Sequence, residues 1–302
     1  MMDTLLSLRG AIPPLLTPFT PDGRRVDESA LRAHVEWLIA QGVHGLMPCG
    51  TTGEFPLLSM AERQRVLEMV IDVTANRVPV TAHVGATSTW ETIALAQHAS
   101  SAGAQAISVV TPYYYRLPDS ALVEHFCQVA QSVPDTPVYL YNIPQNTGNA
   151  LSPGPVASII ARCPNVLGIK DSSGDPDTLT DFVGLRAGRF QVVCGSDALL
   201  LRALGSGACA AVSGNANVFP EVVVGLFDAA ARGDSEEARR QQTILDRVRR
   251  ALLDGASVSL LKRVLEMRGL PAGNVRSPLP EATAIMVSAA HAELLSLGLL
   301  SS

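Results

Sequence analysis

A lysine closes a short apolar run near the middle of the chain. Val166-Leu167-Gly168-Ile169 ends abruptly in Lys170, and Asp171, Ser172, Ser173 and Gly174 follow. The run is too short for a helix and small polar residues terminate it, so it reads as a buried strand with the lysine at its carboxyl end. Burying an ammonium is costly, so such a lysine is either paired or neutral. A neutral amine in a dry pocket attacks a carbonyl and forms a Schiff base. A lysine at a strand end can equally snorkel into solvent, and this stretch alone leaves both readings open.

Two other stretches bear on the choice. Gly50-Thr51-Thr52-Gly53-Glu54 follows a second apolar run. Two glycines around two hydroxyls predict a tight loop with exposed backbone N–H groups, a nest for a carboxylate or phosphate. An ordinary capped turn has the same composition. Tyr141 ends the run at 138–141, and Tyr113, Tyr114 and Tyr115 follow the run at 106–110. A tyrosine there can shuttle protons or stand at a rim with its hydroxyl in water. Together these parts suggest one chemistry. The nest holds the carboxylate of a 2-oxo acid, Lys170 attacks the adjacent ketone, the iminium draws electrons from C3, and Tyr141 relays protons.

The elements that must position these groups form a regular rhythm. Apolar runs at 11–17, 45–49, 78–84, 106–110, 138–141, 166–169, 190–194 and 208–212 alternate with amphipathic segments. Asp27, a Ser59/Glu62 capping box, and Ser88 or Thr89 start three of the helices, and Gly42 and Gly103 close two. Continuous apolar runs are those of parallel strands buried on both faces. Eight strand–helix units predict an α/β fold, a (β/α)8 TIM barrel over residues 1–231, with strand-end loops building the site. A doubly wound open sheet is the alternative, but no G-x-G-x-x-G fingerprint follows the first run. Beyond Arg232 the pattern is purely helical, at 235–253, 259–268 and 281–297, which predicts a C-terminal helical extension over residues 232–302.

Composition narrows the class. The 302 residues are 47% hydrophobic and 17% charged with a net charge of −5, a balance that excludes disorder and leaves no basic footprint for nucleic acid. No apolar run is long enough to span a membrane, and residues 1–10 lack a signal-peptide pattern. The cysteines at 49, 127, 163, 194 and 209 are scattered singly, which suggests reduced thiols and a cytoplasmic protein. Histidines and acids show no metal-ligand spacing.

The pieces Gly50-Thr51-Thr52-Gly53-Glu54, Thr111-Pro112-Tyr113-Tyr114, Tyr141-Asn142-Ile143-Pro144 and Gly168-Ile169-Lys170-Asp171 resemble, in order and strand-end placement, the dihydrodipicolinate synthase/N-acetylneuraminate lyase family of class I Schiff-base lyases. The resemblance runs from about Ala11 to the end. It implies a cofactor-free enzyme acting on a 2-oxo acid such as pyruvate, with Lys170 as the Schiff-base lysine and Tyr141 as the proton relay. It also implies that Thr51, Thr52 and Gly53 form the pyruvyl-carboxylate nest, with Thr52 in the relay. Tyr114 matches the tyrosine that family members insert from a neighbouring subunit. Gly195 and Val212 match pocket-lining strand ends. Family members are commonly homotetramers, dimers of dimers, which the C-terminal helices would support.

One position departs from the synthase pattern. Dihydrodipicolinate-forming enzymes usually carry an arginine shortly after Tyr-Asn-x-Pro, and Asn146 stands in its place. An amide has two donors and no charge, so it suits hydroxyls or a weaker carboxylate contact. Glu54-Phe55-Pro56-Leu57, Tyr114-Tyr115-Arg116 and Asn146-Thr147-Gly148 look more like the 4-hydroxy-2-oxoglutarate and 2-keto-3-deoxygluconate aldolase branches. Ser172 has the chemistry to contact substrate hydroxyls, although a turn serine needs no such role. Arg116 offers a distal positive charge or a solvated loop residue. His83 offers a substrate contact, an interface residue or a structural histidine. The expectation is cleavage of a 4-hydroxy-2-oxo acid. The rivals are condensation of pyruvate with aspartate semialdehyde, a dehydratase using the same iminium, and a non-catalytic 2-oxo-acid-binding protein.

Overall fold

The computed structural model describes residues 8–185, 190–255 and 257–301. The strands are β1 (Gly10–Ile12), β2 (Thr81–His83), β3 (Ala106–Val110), β4 (Val138–Asn142), β5 (Val166–Asp171), β6 (Gln191–Cys194) and β7 (Ala210–Val212). The chain divides into two compact units: Pro79–Val212 with the described part of Met1–Arg9, and Gly10–Val78 with Ser213–Ser302. The boundary expected at 231/232 falls inside the second unit.

In the first unit β2 to β7 pair in parallel, each with the next. Helices Thr89–Ala102, Asp119–Ser132, Pro153–Arg162, Pro176–Gly184 and Leu200–Ser206 alternate with them. Strands β2 to β5 and β7 are buried throughout their length. That is the physical basis of their unbroken apolar runs: both faces are covered. The caps form where local chemistry places them. Ser88 accepts the Glu91 N–H, and Gly103 ends the same helix at φ 93°. Pro176 occupies the first turn of its helix behind Asp175.

The second unit is mostly helical, with Glu28–Ala40, Met60–Thr74, Pro220–Ala231, Ser235–Ala251, Val258–Met267 and Ala284–Ser296. Asp27 caps the first of these and Ser59 with Glu62 closes a capping box on the second. The strand expected at 45–49 is reduced to bridge residues Leu46 and Met47, the latter parallel to Pro14. Pro13 and Pro14 have no N–H to donate, which interrupts the ladder. Cys49 then turns into the left-handed region at φ 58°. What remains is Leu15 N–H to Met47 O at 2.9 Å and Met47 N–H to Pro13 O at 3.0 Å.

Each unit buries a histidine whose ionisation opposes folding. His34 Nε2 lies 3.0 Å from the Asn217 carbonyl, so that nitrogen carries the proton. His125 Nδ1 lies 2.9 Å from Thr89 Oγ1. Burial pushes both imidazoles down to about 4. Between that value and the ordinary 6.5 the unfolded chain binds more protons, so stability is full above about pH 6.5 and falls as pH drops toward 4. Asp171, raised by burial, opposes the trend. Urea unfolding at pH 7 and pH 4.5 is expected to show a net loss on the order of a few kcal/mol. Replacing both histidines with glutamine should flatten that step.

Candidate active site

Parallel strands in register send opposed side chains to the same face. Tyr141 at the carboxyl end of β4 pairs with Lys170 at the end of β5, and Lys170 with Val193 of β6. Val193 pairs with Ala210 of β7. Two residues on, Gly195 and Val212 continue the same face. Tyr141, Lys170, Gly195 and Val212 are thereby gathered at the carboxyl ends of adjacent strands.

Lys170 is 4% exposed and Tyr141 2%. The Lys170 Nζ lies 3.8 Å from the Tyr141 ring centroid, a contact in which the ring face attracts a cation or cradles an amine away from water. His83 of β2, buried, meets the Tyr141 ring edge-on at 5.9 Å and 88°. The lysine therefore does not snorkel. It is enclosed, and the tyrosine it was expected to work with is its wall.

The turn behind the lysine is fixed from the opposite face. Asn142 Nδ2 donates to Asp171 Oδ1 at 2.8 Å, and Ser173 Oγ to Oδ2 at 2.8 Å. Burial pushes the Asp171 carboxyl above its ordinary value, against the pull of these two donors. Ser172 donates its N–H to Asn142 O at 2.9 Å, and its carbonyl accepts Gln145 Nε2 at 2.7 Å. A methyl at Gly195 would overlap Ser172 Oγ. Glycine at 195 is thus the space that Ser172 occupies.

The other expected residues lie outside the strands. Asn146 is exposed on the short helix Pro144–Thr147, where its N–H closes on Ile143 O at 3.0 Å. Tyr114 is 86% exposed at φ 83° and meets Tyr115 edge-on. Arg116 Nη1 donates to Gly148 O at 3.0 Å, which gives it a loop-closing role. Thr51, Thr52 and Gly53 lie in the second unit, the two threonines half-buried. The nest is narrower than expected, because Gly53 and Glu54 donate their N–H groups to Gly50 O and Thr51 O, both at 3.0 Å. A Cβ on Gly53 would stand 2.7 Å from the Leu15 carbonyl, so only glycine closes this turn.

One positioning residue had no signal in the sequence. Asn149 Nδ2 donates to Pro112 O and Tyr115 O, both at 2.7 Å, and its Oδ1 accepts Leu117 N–H at 2.8 Å. This amide pins both ends of the Tyr113–Tyr115 loop. An asparagine after a glycine reads as a turn residue, and nothing local marks it as a clamp. Among the described residues no group of three or more His, Cys, Asp or Glu is placed to hold a metal ion, and no helix is long and apolar enough to cross a membrane.

Comparison with known proteins agrees with the strand-end motifs. Residues 7–295 match the model of the dihydrodipicolinate synthetase family. A DapA-like lyase of Halobacterium salinarum, itself uncharacterized, is 44% identical over 98% of this chain and 96% of its own length. A 4-hydroxy-tetrahydrodipicolinate synthase of Methanopyrus kandleri is 39% identical over 97% of both chains. The crystal structure of dihydrodipicolinate synthase from Aquifex aeolicus superposes with a TM-score of 0.93 at 32% identity, covering 98% of this chain and 100% of that one. A prophage protein of the same family from E. coli K12, crystallised in complex with pyruvate, gives 0.92 at 35% identity over 96% and 99%. With a register-paired tyrosine and lysine at adjacent strand ends and a family match across nearly its whole length, the chain belongs to the dihydrodipicolinate synthetase family.

Proposed function

We propose that this protein is a Schiff-base lyase that cleaves a 4-hydroxy-2-oxo acid, of the 4-hydroxy-2-oxoglutarate or 2-keto-3-deoxy sugar acid type, to pyruvate or a related 2-oxo acid and an aldehyde. The observation that carries the reading is the buried Lys170 Nζ, 3.8 Å from the centre of the Tyr141 ring. A water-excluded amine beside a phenol is what nucleophilic attack on a ketone needs.

Lys170 attacks C2 of the substrate. Tyr141, with Thr52 in the relay, gives a proton to the carbinolamine oxygen, which leaves as water. The iminium then accepts the C3–C4 bonding pair as the 4-hydroxyl loses its proton and the aldehyde departs. The enamine is protonated at C3, and water releases the 2-oxo acid and the free amine. The iminium is the electron sink, so the chemistry uses no added cofactor. Thr51 and Thr52 take the substrate carboxylate, and Asn146 and Ser172 face its distal hydroxyls. We assign the chain to a (β/α)8 barrel over residues 1–231 with a helical extension over 232–302, assembled as a cytoplasmic homotetramer in which Tyr114 serves a neighbouring subunit. The similarity to family crystal structures over 98% of the chain supports this assignment.

A second reading has support in the names of the relatives, several of which are 4-hydroxy-tetrahydrodipicolinate synthases. In it the pyruvyl iminium on Lys170 loses a C3 proton and the enamine attacks aspartate semialdehyde. The exposed amide at 146, in place of a cationic fork, favours the first reading. The test is a panel: pyruvate release from 4-hydroxy-2-oxo acids and 2-keto-3-deoxy sugar acids, beside condensation of pyruvate with aspartate semialdehyde. Release is the expected result. Condensation alone selects the synthase, and neither reaction, with pyruvate still bound, selects a binding protein.

A further inference from the structure

The loop carrying Thr51 and Thr52 is held from behind by a buried ion pair. Glu54 Oε1 lies 2.6 Å from Lys262 Nζ, and both side chains are 0% exposed. Glu54 Oε2 accepts the Arg276 backbone N–H at 2.8 Å. Lys262 also donates to the Asn274 carbonyl at 2.8 Å. The Lys262 ammonium and the Arg276 guanidinium each lie 4.3 Å from the centre of the Phe19 ring. The Arg276 side chain forks onto Glu62 at 2.8 and 2.9 Å and reaches the Leu57 carbonyl at 2.8 Å. All of these residues belong to the second unit.

The backbone beside this pair is strained. Cys49 and Glu54, at the two ends of Gly50-Thr51-Thr52-Gly53, both stand at φ 58°. A residue other than glycine in that region costs about 1 kcal/mol or more and persists only when its surroundings over-determine it. A buried ion pair contributes little to stability compared with an apolar pair of the same shape. What it supplies here is direction. One carboxylate is fixed at both oxygens, and the backbone carrying it has no latitude to relax.

We propose that Glu54, Lys262 and Arg276 are positioning residues that hold Thr51 and Thr52 in the conformation that grips a substrate carboxylate, so that carboxylate affinity depends on the segment 258–276. The inference rests on the functional reading above for the identity of the ligand. Lys262 falls four residues after Val258 and three before Leu265, on the apolar stripe of its helix.

Lys262→Met leaves a carboxylate buried without its cation, so the deciding variant is the double Glu54→Gln/Lys262→Met. It removes both charges and keeps an acceptor for the Arg276 N–H. Two measurements follow. Hydrogen exchange reads the Gly53, Glu54 and Phe55 amides, which are bonded within the loop. Borohydride trapping reads the pyruvate concentration at which half of the protein is captured as the reduced imine. At least tenfold faster exchange confined to this loop is expected, with a tenfold or greater rise in the half-trapping concentration and an unchanged trapping level at saturation. Parent-like values of both overturn the proposal, as does acceleration spread evenly over the chain, which marks the pair as merely structural. If pyruvate traps no parent protein, the functional reading fails, and the exchange arm alone decides whether the pair locks the loop.

Discussion

Lys170→Ala is expected to abolish trapping of pyruvate by borohydride and to lower turnover on every accepted substrate by about 10⁴-fold or more, the scale seen when a covalent nucleophile is removed. On the proposed reading the threonine loop still holds the substrate carboxylate, so the loss should appear in kcat. The folded state should survive. The lysine is buried with its amine over the Tyr141 ring, and truncation leaves a gap there, with a cost of about 1–3 kcal/mol. Lys170→Met fills that space and should be as inactive and more stable than the alanine variant. Circular dichroism and mass spectrometry of the reduced adduct read both halves. Turnover retained in either variant would sink the Schiff-base mechanism.

The second large effect is on stability, at Gly168. It pairs in register with Tyr139 of β4 and Gln191 of β6. The Tyr139 hydroxyl donates to Gln191 Oε1, and the Leu8 N–H reaches the hydroxyl at 3.2 Å and Gln191 Oε1 at 3.1 Å. Burial pushes the Tyr139 phenol well above its ordinary range. A methyl at 168 would overlap the Gln191 backbone carbonyl and stand 2.8 Å from the Tyr139 ring. The ring can turn, but the carbonyl cannot move without parting β5 from β6. Gly168→Ala is expected to lower the unfolding free energy by about 3 kcal/mol, at the upper end for an overpacked core. Gly205→Ala is the control. It lies in a helix with open space around its Cα, and should gain roughly 0.5–1 kcal/mol from helix propensity. Urea midpoints compare the two, and a parent-like midpoint for Gly168→Ala would refute the packing argument.

What was legible in the sequence was what is decided locally or by periodicity. Asp27, Ser59 and Ser88 cap the helices they were expected to start, because a cap needs only a side chain and the next turn. The strands β2 to β5 and β7 showed as apolar runs because each is covered on both faces. The run at 45–49 looked equally apolar, but its partner's prolines cannot complete a ladder, and a run does not reveal its partner. The grouping of Gly10–Val78 with Ser213–Ser302 was invisible for the same reason. At the site, Lys170 and Tyr141 were legible because strand ends dictate where they point. Asn149 and Lys262 were not, since the groups Asn149 binds are 32 to 37 residues away in the chain and the carboxylate that Lys262 pairs with, on Glu54, is 208 away. The Asp171 carboxylate, bound to Asn142 across 29 residues, was hidden in the same way.

The short turn after β4 has a bearing on how this scaffold can diversify. Asn149 clamps a loop and Thr147 is buried, its hydroxyl 2.8 Å from Thr111 Oγ1, so change at either position should destabilise the fold. Asn146, one residue before Thr147, is exposed and gives the turn its backbone N–H. Replacement there should shift stability by no more than about 0.5 kcal/mol. A lineage can therefore pass through many side chains at 146 without leaving the population of folded proteins. On the proposed reading, in which the amide at 146 meets the substrate, preference can then drift and be reselected while the covalent step stays constant. If that reading holds, saturation of position 146 is a good starting library for changing the carbonyl partner.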